Sequence, residues 1–331
     1  MAKKIMGVEI GNYRIKLAVC IGNVVEQVVV TDIPENMVRD GVIISWEAMA
    51  GFIKETVKEN NIKCKYVALV LPDTLAYIRH VSMPAMTVEQ LKVNLPYEFH
   101  DYITEERDRY IYDYALVDMT YDDNNNPKEM DLMAVAAKKE IVEKYSTLFR
   151  HAGLKLVKIA PAIASLENII NRYDNNSFAK DHDYAIFDIG HTSMRLHFFT
   201  GGRFEITRNM EPGCQALTNI ISDLYGVDPH IAEIYKQKNK DNIWNSEEFK
   251  NIYNRISVEL MRVVNFYIFN HPDSNIDTIY YCGGGTKITP LLEEIQKEVD
   301  YKLVSIKELL DVHIENEDDL LVAPLAIGIT W

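Results

Sequence analysis

The amino-acid sequence predicts an α/β fold of two related halves facing each other across a cleft. The first observation is a repeated pattern of nine residues. Glu9, Ile10, Gly11, Asn12, Tyr13, Arg14, Ile15, Lys16 and Leu17 match Asp188, Ile189, Gly190, His191, Thr192, Ser193, Met194, Arg195 and Leu196 as acid, isoleucine, glycine, three turn residues, aliphatic, base and leucine. The second is an alternation of strand and helix patterns through both halves. The third is the run Gly283-Gly284-Gly285, directly after a short apolar strand. Each copy of the repeat reads as a β-hairpin whose glycine tip aims several backbone N–H groups one way, which can hold phosphate oxygens. The carboxylate two residues before each glycine can hold the accompanying magnesium. Two such loops in two similar halves suggest a nucleotide clamped between domains.

Length and composition permit this. At 331 residues the chain exceeds the size at which a single core stops growing, so two or more domains are expected. Hydrophobic residues at 47% and charged residues at 25% are ordinary for a globular protein. A net charge of −14 argues against nucleic acid or an anionic membrane surface as a direct partner. No apolar run approaches the roughly 20 residues that cross a bilayer. Glu9 follows Met1-Ala2-Lys3-Lys4 too soon for a signal-peptide core, so no direct membrane insertion is expected. Cys20, Cys64, Cys214 and Cys282 form no C-x-x-C pair and read as small core residues in a reducing compartment. The nine histidines show no zinc-ligand spacing. A cytoplasmic protein is expected.

Along the chain, Lys4–Leu17 and Ala18–Thr31 carry strand patterns, with Gly22-Asn23 as a turn. Ser45 is placed to cap a helix whose Trp46, Met49, Phe52, Ile53 and Val57 share one face. Tyr66–Leu71 is a short strand ended by Pro72-Asp73. Thr87-Val88-Glu89-Gln90 has the form of a capping box, and Pro96 should kink or split the helix it opens. Tyr110–Thr120 and Glu129–Ala137 read as strands joined by a polar loop, Lys138–His151 as a helix stopped by Gly153, and Ala162–Arg172 as another helix. The polar linker Tyr173–Asp183 is the best boundary between the halves. Beyond it, Tyr184–Asp188, Met194–Thr200 and Arg203–Asn209 form a meander turning at Gly201-Gly202. Gly213 opens a helix through Leu217, Ile220 and Leu224, and Pro229 opens another. Lys238–Glu247 is a polar loop before a long helix from Glu248 to Phe269. Thr278–Cys282 is a buried strand and Pro290–Val299 a helix. The three glycines between them leave open backbone at a helix N-terminus, where a ribose or phosphate can approach.

In this order the motifs resemble those of the actin-like ATPase superfamily and, within it, the PilM family of type IV pilus assembly proteins, relatives of the division protein FtsA. Glu9–Lys16 resembles the first phosphate motif, Asp188–Ser193 the second and Ile279–Gly285 the adenosine motif. Met83-Pro84-Ala85-Met86 with Glu89, Leu91, Glu98, Tyr102 and Ile103 resembles the PilM signature at the start of an inserted subdomain. Gly213, Thr218, Ala232-Glu233 and Lys236 resemble its nucleotide-side helices, and Ala323–Ile329 its C-terminal connecting helix. The family pattern has Asp where Glu9 stands, small hydroxyl residues at Asn12 and Tyr13, and a small residue at His191.

The resemblance implies ATP and Mg2+ as cofactors. Gly11, Asn12, Tyr13, Lys16, Asp188, Gly190, His191, Thr192, Ser193, Gly213, Glu233, Lys236, Gly283, Gly284, Gly285 and Thr286 would bind the nucleotide, with Glu9 and Asp188 as the metal carboxylates. No residue is identified as a catalytic base. On the residues alone, Glu233 and Lys236 also fit a solvent-facing ion pair, and an acid–Ile–Gly turn also fits an ordinary hairpin.

The implied fold is an actin-like (ribonuclease H-like) pair of α/β domains with an FtsA-type inserted αβ subdomain. The first domain would comprise residues 1–81 and 154–182, completed by 320–331, with the insert at 82–153. The second would comprise 183–319, including a helical subdomain near 226–274. The implied role is a cytoplasmic nucleotide-binding scaffold, recruited to the inner face of the cell membrane through partners. Those partners are the N-terminal tail of a PilN-like inner-membrane protein, lying extended between first domain and insert, and the pilus assembly ATPase complex. Self-association is left open. Three other readings stand beside this one. Glu9 and Tyr13 suit a degenerate pseudo-ATPase scaffold. An FtsA-like division protein is disfavoured because the chain stops at Trp331, right after the connecting segment. A small-molecule kinase of the superfamily would need a carboxylate base beside the cleft motifs, and none is evident.

Overall fold

The computed structural model describes residues 3–39, 41–177, 182–314 and 316–331. Its frame is two five-stranded sheets of the same connectivity. In the first, β1 (Lys4–Ile10), β2 (Arg14–Ile21) and β3 (Val24–Asp32) form an antiparallel meander. The short ladder of β4 (Val38–Arg39) and β5 (Val42–Ile43) leads to α1 (Trp46–Glu59), after which β6 (Tyr66–Leu71) lies parallel to β1. An excursion follows through β7 (Ala76–Pro84), α2 (Val88–Asn94), β8 (Tyr110–Tyr121), β9 (Pro127–Lys138) and α3 (Lys139–His151). Then β10 (Lys155–Pro161) pairs with β6, giving the order β10-β6-β1-β2-β3. Helix α4 (Ala162–Ser177) crosses to the second sheet.

There β11 (Tyr184–Ile189), β12 (Met194–Thr200) and β13 (Arg203–Met210) repeat the meander. Helices α5 (Gln215–Tyr225), α6 (Pro229–Gln237) and α7 (Glu247–Asn270) precede β14 (Thr278–Cys282), which is parallel to β11. After α8 (Thr289–Glu298), β15 (Lys302–Ser305) completes the order β13-β12-β11-β14-β15. Counted from the meander, the two orders are the same. The nine-residue repeat is thus the tip of a repeated fold.

Both faces of each sheet are buried. Met6, Val8, Leu17 and Leu69 of the first sheet pack with residues of α1 and α3. Its other face, Ala18, Cys20, Ala68 and Val70, packs on α4 and on the C-terminal helices α9 (Lys307–Leu310), α10 (Asp318–Val322) and α11 (Pro324–Gly328). The same helices cover Tyr184, Ile186, Phe199 and Tyr280 on one face of the second sheet. Phe187, Leu196 and Phe198 on its opposite face pack with α5, α7 and α8. The middle layer therefore belongs to both halves.

Helix α11 lies so close to β1 that a Cβ on Gly7 would meet the Ala326 carbonyl and Ile329, and one on Gly328 would meet the Ser165 backbone. Asn168 Nδ2 donates to the Gly328 carbonyl at 2.9 Å. Gly7→Val is expected to cost about 3 kcal/mol or more by overpacking, measurable as a lower urea midpoint.

The third sheet, in the order β7-β9-β8, packs Val81, Leu132, Ala134 and Ala136 against α2 and a 310 turn at Leu95–Phe99. Thr87 closes a reciprocal capping box with Gln90, and Pro96 converts the end of α2 into that turn. Helix α3 instead buries Tyr145, Leu148 and Phe149 in the core shared with α1. On this packing we draw the insert at 76–138 rather than 82–153.

Some local expectations need correction. Helix α4 continues to Ser177, so Tyr173–Ser177 of the expected linker is helical; residues 178–181 of it lie outside the described residues. Asp183 is buried and accepts from Gly201 N at 2.9 Å and Ser274 Oγ at 2.8 Å. Ser45 occupies the N-cap of α1 without a side-chain hydrogen bond. Lys240–Asn245, within the expected loop, forms a kinked 310 turn. The glycine run does not open α8 directly, because Gly284–Lys287 form a 310 turn first. The connecting helix expected at Ala323–Ile329 is α11, Pro324–Gly328, with Ala323 at its N-cap. Strands β7, β10 and β15 escape the sequence pattern, being partly exposed along their length. All four cysteines are buried and unpaired. Among the described residues no helix is long and apolar enough to cross a membrane.

Candidate functional site

The two hairpin tips face each other between the sheets. At the first, Gly11 N donates to Arg14 O at 2.9 Å, and a Cβ on Gly11 would press on that same carbonyl. At the second, a Cβ on Gly190 would collide with Ser193 O. The strand registers are equivalent: Glu9 sits opposite Lys16 on β2, and Asp188 opposite Arg195 on β12. Each carboxylate thus enters the site beside the base of its own hairpin. Lys16 Nζ donates to Glu9 Oε1, while Glu9 Oε2 is buried without a partner. Arg195 instead reaches Asp73, with Nη1 3.2 Å from Oδ2, at the end of β6.

Burial governs the electrostatics. It pushes the Glu9 carboxyl above its ordinary range against the pull of Lys16, with Asp188 adding to the rise. It raises Asp188 likewise, opposed by Arg195 and Lys16. Two half-buried carboxylates, one with an orphaned oxygen, form a donor set that suits a hard divalent cation.

A cavity of 410 Å³ opens between the tips, α6 and the 310 turn after β14. It is lined by Glu9, Gly11, Asn12, Tyr13, Lys16, Asp188, Gly190, His191, Thr192, Ser193, Glu233, Lys236, Gly284 and Gly285. Gly213, Gly283 and Thr286 stand behind this wall. A Cβ on Gly213 would collide with the His191 and Thr192 carbonyls, and Gly283, at φ +95°, lies against Asp188 and Ile189. Thr286 Oγ1 donates to Gly283 O at 2.7 Å and so braces the turn. Gly284 has open space where a side chain would stand. Lining residues that sequence reasoning missed include Cys214, Gln237, Trp244, Lys287, Ile288 and Val322. Arg14 and Arg195, also in the lining, carried a prior signal as members of the repeat.

Glu233 and Lys236 are not a solvent-facing pair. They are 8% and 5% exposed, and Lys236 Nζ lies 2.6 Å from Glu233 Oε2. Thr218 Oγ1 donates to Glu233 Oε2 at 2.8 Å, and Lys236 Nζ donates to Thr218 Oγ1 at 2.8 Å and to Cys214 O at 3.3 Å. Trp244 Nε1 donates to Lys236 O at 2.8 Å. The network locks α5 to α6 and fixes both charges at the cavity edge.

The tips also touch across the cleft. Asn12 Nδ2 donates to Thr192 Oγ1 at 2.5 Å, and Asn12 Oδ1 accepts from Gly41 N at 2.6 Å. The Tyr13 and His191 rings meet with centroids 4.1 Å apart. These are two of the positions where the chain departs from the family pattern, and they pack on one another. His191 Nδ1 lies 3.7 Å from Glu233 Oε2 and its Nε2 has no partner. Burial, with Lys236 nearby, depresses its pKa to about 4 against the opposite pull of Glu233, so the ring is neutral at pH 7.

A family model described as type IV pilus assembly protein PilM matches residues 7–321. The chain belongs to the PilM family. A solved PilM-PilN type IV pilus biogenesis complex contains a chain 22% identical to this one, with a TM-score of 0.79, coverage of 98% of this chain and 97% of that one. The ethanolamine utilization protein EutJ from Carboxydothermus hydrogenoformans is 15% identical, with a TM-score of 0.57 and coverage of 98% and 89%. No curated protein matches significantly. The fold is therefore the actin-like pair of α/β domains, carried by a PilM-family member of type IV pilus assembly.

Proposed function

We propose that this PilM-family chain is an actin-like scaffold of the pilus inner-membrane assembly complex, holding Mg2+-ATP in its cleft and a PilN-like tail on its first half. The observation that carries the nucleotide reading is the convergence of both repeated tips and the glycine turn on one cavity. Backbone N–H groups of Asn12, Tyr13 and Gly190–Ser193 would take the phosphates. Glu9 and Asp188 would hold the magnesium, which when bound neutralises phosphate charge. Lys16 orients Glu9, and the Glu233–Lys236 pair with Gly284 and Gly285 would bound the nucleoside end.

The partner reading is supported by family membership and by the likeness to the PilM chain of a PilM-PilN complex. Strand β7 is an edge of the third sheet, so an extended peptide could add to it through backbone pairing. Tyr97 and Tyr102 nearby are exposed, with Arg107 and Arg79 over their rings. Such a tail would hold the protein at the inner face of the cell membrane, where the assembly ATPase complex is the further partner. Nucleotide would act by setting the angle between halves, and can shift tail affinity only by its differential affinity for the two angles.

A second reading, a scaffold whose cleft is shut without nucleotide, draws on the Asn12–Thr192 and Tyr13–His191 contacts. Calorimetric titration with Mg2+-ATP, and with a synthetic PilN-type tail in the presence and absence of ATP, separates the two. The leading reading expects nucleotide binding and a tail affinity that changes about 5-fold or more with ATP. Tail binding with no nucleotide heat would leave the shut scaffold.

A further inference from the structure

A second cavity, of 320 Å³, lies beyond the hairpin tips on the side of β6 and α4. It shares Glu9, Gly11, Asn12, Thr192, Ser193 and Arg195 with the first, so the tips form a partition with space on both sides. Asp73 faces this second space. Its Oδ2 is held by Arg195 at 3.2 Å, its Oδ1 is buried with no hydrogen bond of full geometry, and the Ala162 backbone N–H also pulls on the carboxylate.

The internal repeat explains the position. Glu9 pairs with Val70 on β6, and Asp188 pairs with Cys282 on β14. Three residues beyond those partners stand Asp73 and Gly285. Asp73 therefore occupies in the first half the place that the glycine turn occupies in the second. The repeat puts the two on opposite sides of the paired tips. If the nucleoside end rests at Gly284 and Gly285 and the phosphates at the tips, the Asp73 side is the one from which an oxygen can attack the terminal phosphorus in line with its leaving group.

The geometry points to the second cavity as an acceptor subsite for water, with Asp73 as the residue that aligns the attacking oxygen. Elsewhere in the lining, Val70, Leu71, Ala162 and Leu325 offer no side-chain donors, Asn12 is engaged by Thr192 and Gly41, and Thr74 and Ser193 supply hydroxyls that suit a small polar occupant such as water. In the step, Asp73 Oδ1 accepts a hydrogen bond from the water. The water oxygen bonds to the terminal phosphorus as the bond to the bridging oxygen breaks, and that oxygen leaves with the electron pair. One water proton stays on the phosphate released and the other passes to solvent. Arg195 is a positioning residue, fixing the carboxylate through Oδ2.

This inference rests on the nucleotide reading above, and the test keeps the two apart. Wild type and Asp73→Asn are titrated with ADP and with ADP plus aluminium fluoride, which imitates the flattened phosphoryl group with its aligned water, while phosphate release from Mg2+-ATP is followed in parallel. Asp73→Asn is expected to bind ADP as wild type does, to lose about tenfold in affinity for the aluminium fluoride complex, and to release phosphate about 100-fold more slowly. Asp73→Glu, which keeps the charge and moves its oxygens, should show the same two losses; its unchanged ADP affinity reports an intact fold. Unchanged turnover and aluminium fluoride affinity in both variants would overturn the assignment. So would wild type that binds ATP without releasing phosphate, or ADP formed in excess of phosphate when an alcohol acceptor is added. Wild type that binds neither nucleotide sinks this inference together with the nucleotide reading.

Discussion

Replacing Lys236 by methionine is expected to remove about 3–5 kcal/mol of folding stability, because it leaves the Glu233 carboxylate buried without its counter-charge. Burial alone would raise the Glu233 pKa, but Lys236 and Thr218 outweigh it and hold the group below its ordinary range. Lys236 supplies three contacts at once, to Glu233 Oε2, Thr218 Oγ1 and Cys214 O, and water cannot replace them at 5% exposure. Glu233→Gln with Lys236→Met should recover much of the loss, since the pair then disappears together. A double-mutant cycle on urea midpoints measures this; additive single losses would show that the pair is not coupled. The single variant should also lose nucleotide affinity, as Glu233 and Lys236 edge the cavity.

The second large effect is acid sensitivity. His197 on β12 is 2% exposed and its Nδ1 meets Thr207 Oγ1 at 2.8 Å. Burial, reinforced by Arg195, depresses its pKa to about 3. The unfolded chain takes up this proton near pH 6.5 and the folded chain does not, so stability is full above pH 6.5 and falls as pH drops toward 3. The slope is about 1.4 kcal/mol per pH unit for each such histidine. His191 adds in the same direction over a narrower window. Glu9, Asp73 and Asp188 act oppositely, because burial raises them and the folded state takes their protons first. Comparing His197→Gln with wild type cancels both groups. The variant's stability should fall less steeply between pH 6 and 4.5, by about 1.4 kcal/mol per unit; equal slopes in the two proteins would refute the assignment.

The sheet centres were legible because their signals are local. Tyr66–Leu71 and Thr278–Cys282 are continuous apolar runs bounded by proline or glycine, and strands buried on both faces read that way. The repeated tips were legible because acid and base fall at matching positions of each hairpin. Asp73 was invisible for the opposite reason. Its meaning comes from Arg195, 122 residues away on the other sheet, and only the facing of the two halves brings them together. Edge strand β10 alternates half-buried and exposed residues, so its pattern is weak. Helix α4 outran its apolar face through Tyr173–Ser177, where polar residues gave no stop signal to read. Tyr13 and His191, read separately, look like poor phosphate-loop residues, and only their contact shows a shared role.

The position of α11 has a consequence for how the chain is made. Gly7, Ala18 and Cys20 leave the ribosome early, whereas Ala326 and Ile329, which cover that face of the first sheet, leave some 300 residues later. At about 5–20 residues per second, the interval is roughly 15–60 s. Throughout it, the face carrying Ala18, Cys20, Ala68 and Val70 lacks the cover of α11, and until α4 emerges it has no lid in its own chain. On crowded polysomes that bare face meets the same face of neighbouring nascent chains. Slower translation initiation, which spaces those chains apart, should therefore raise the folded yield.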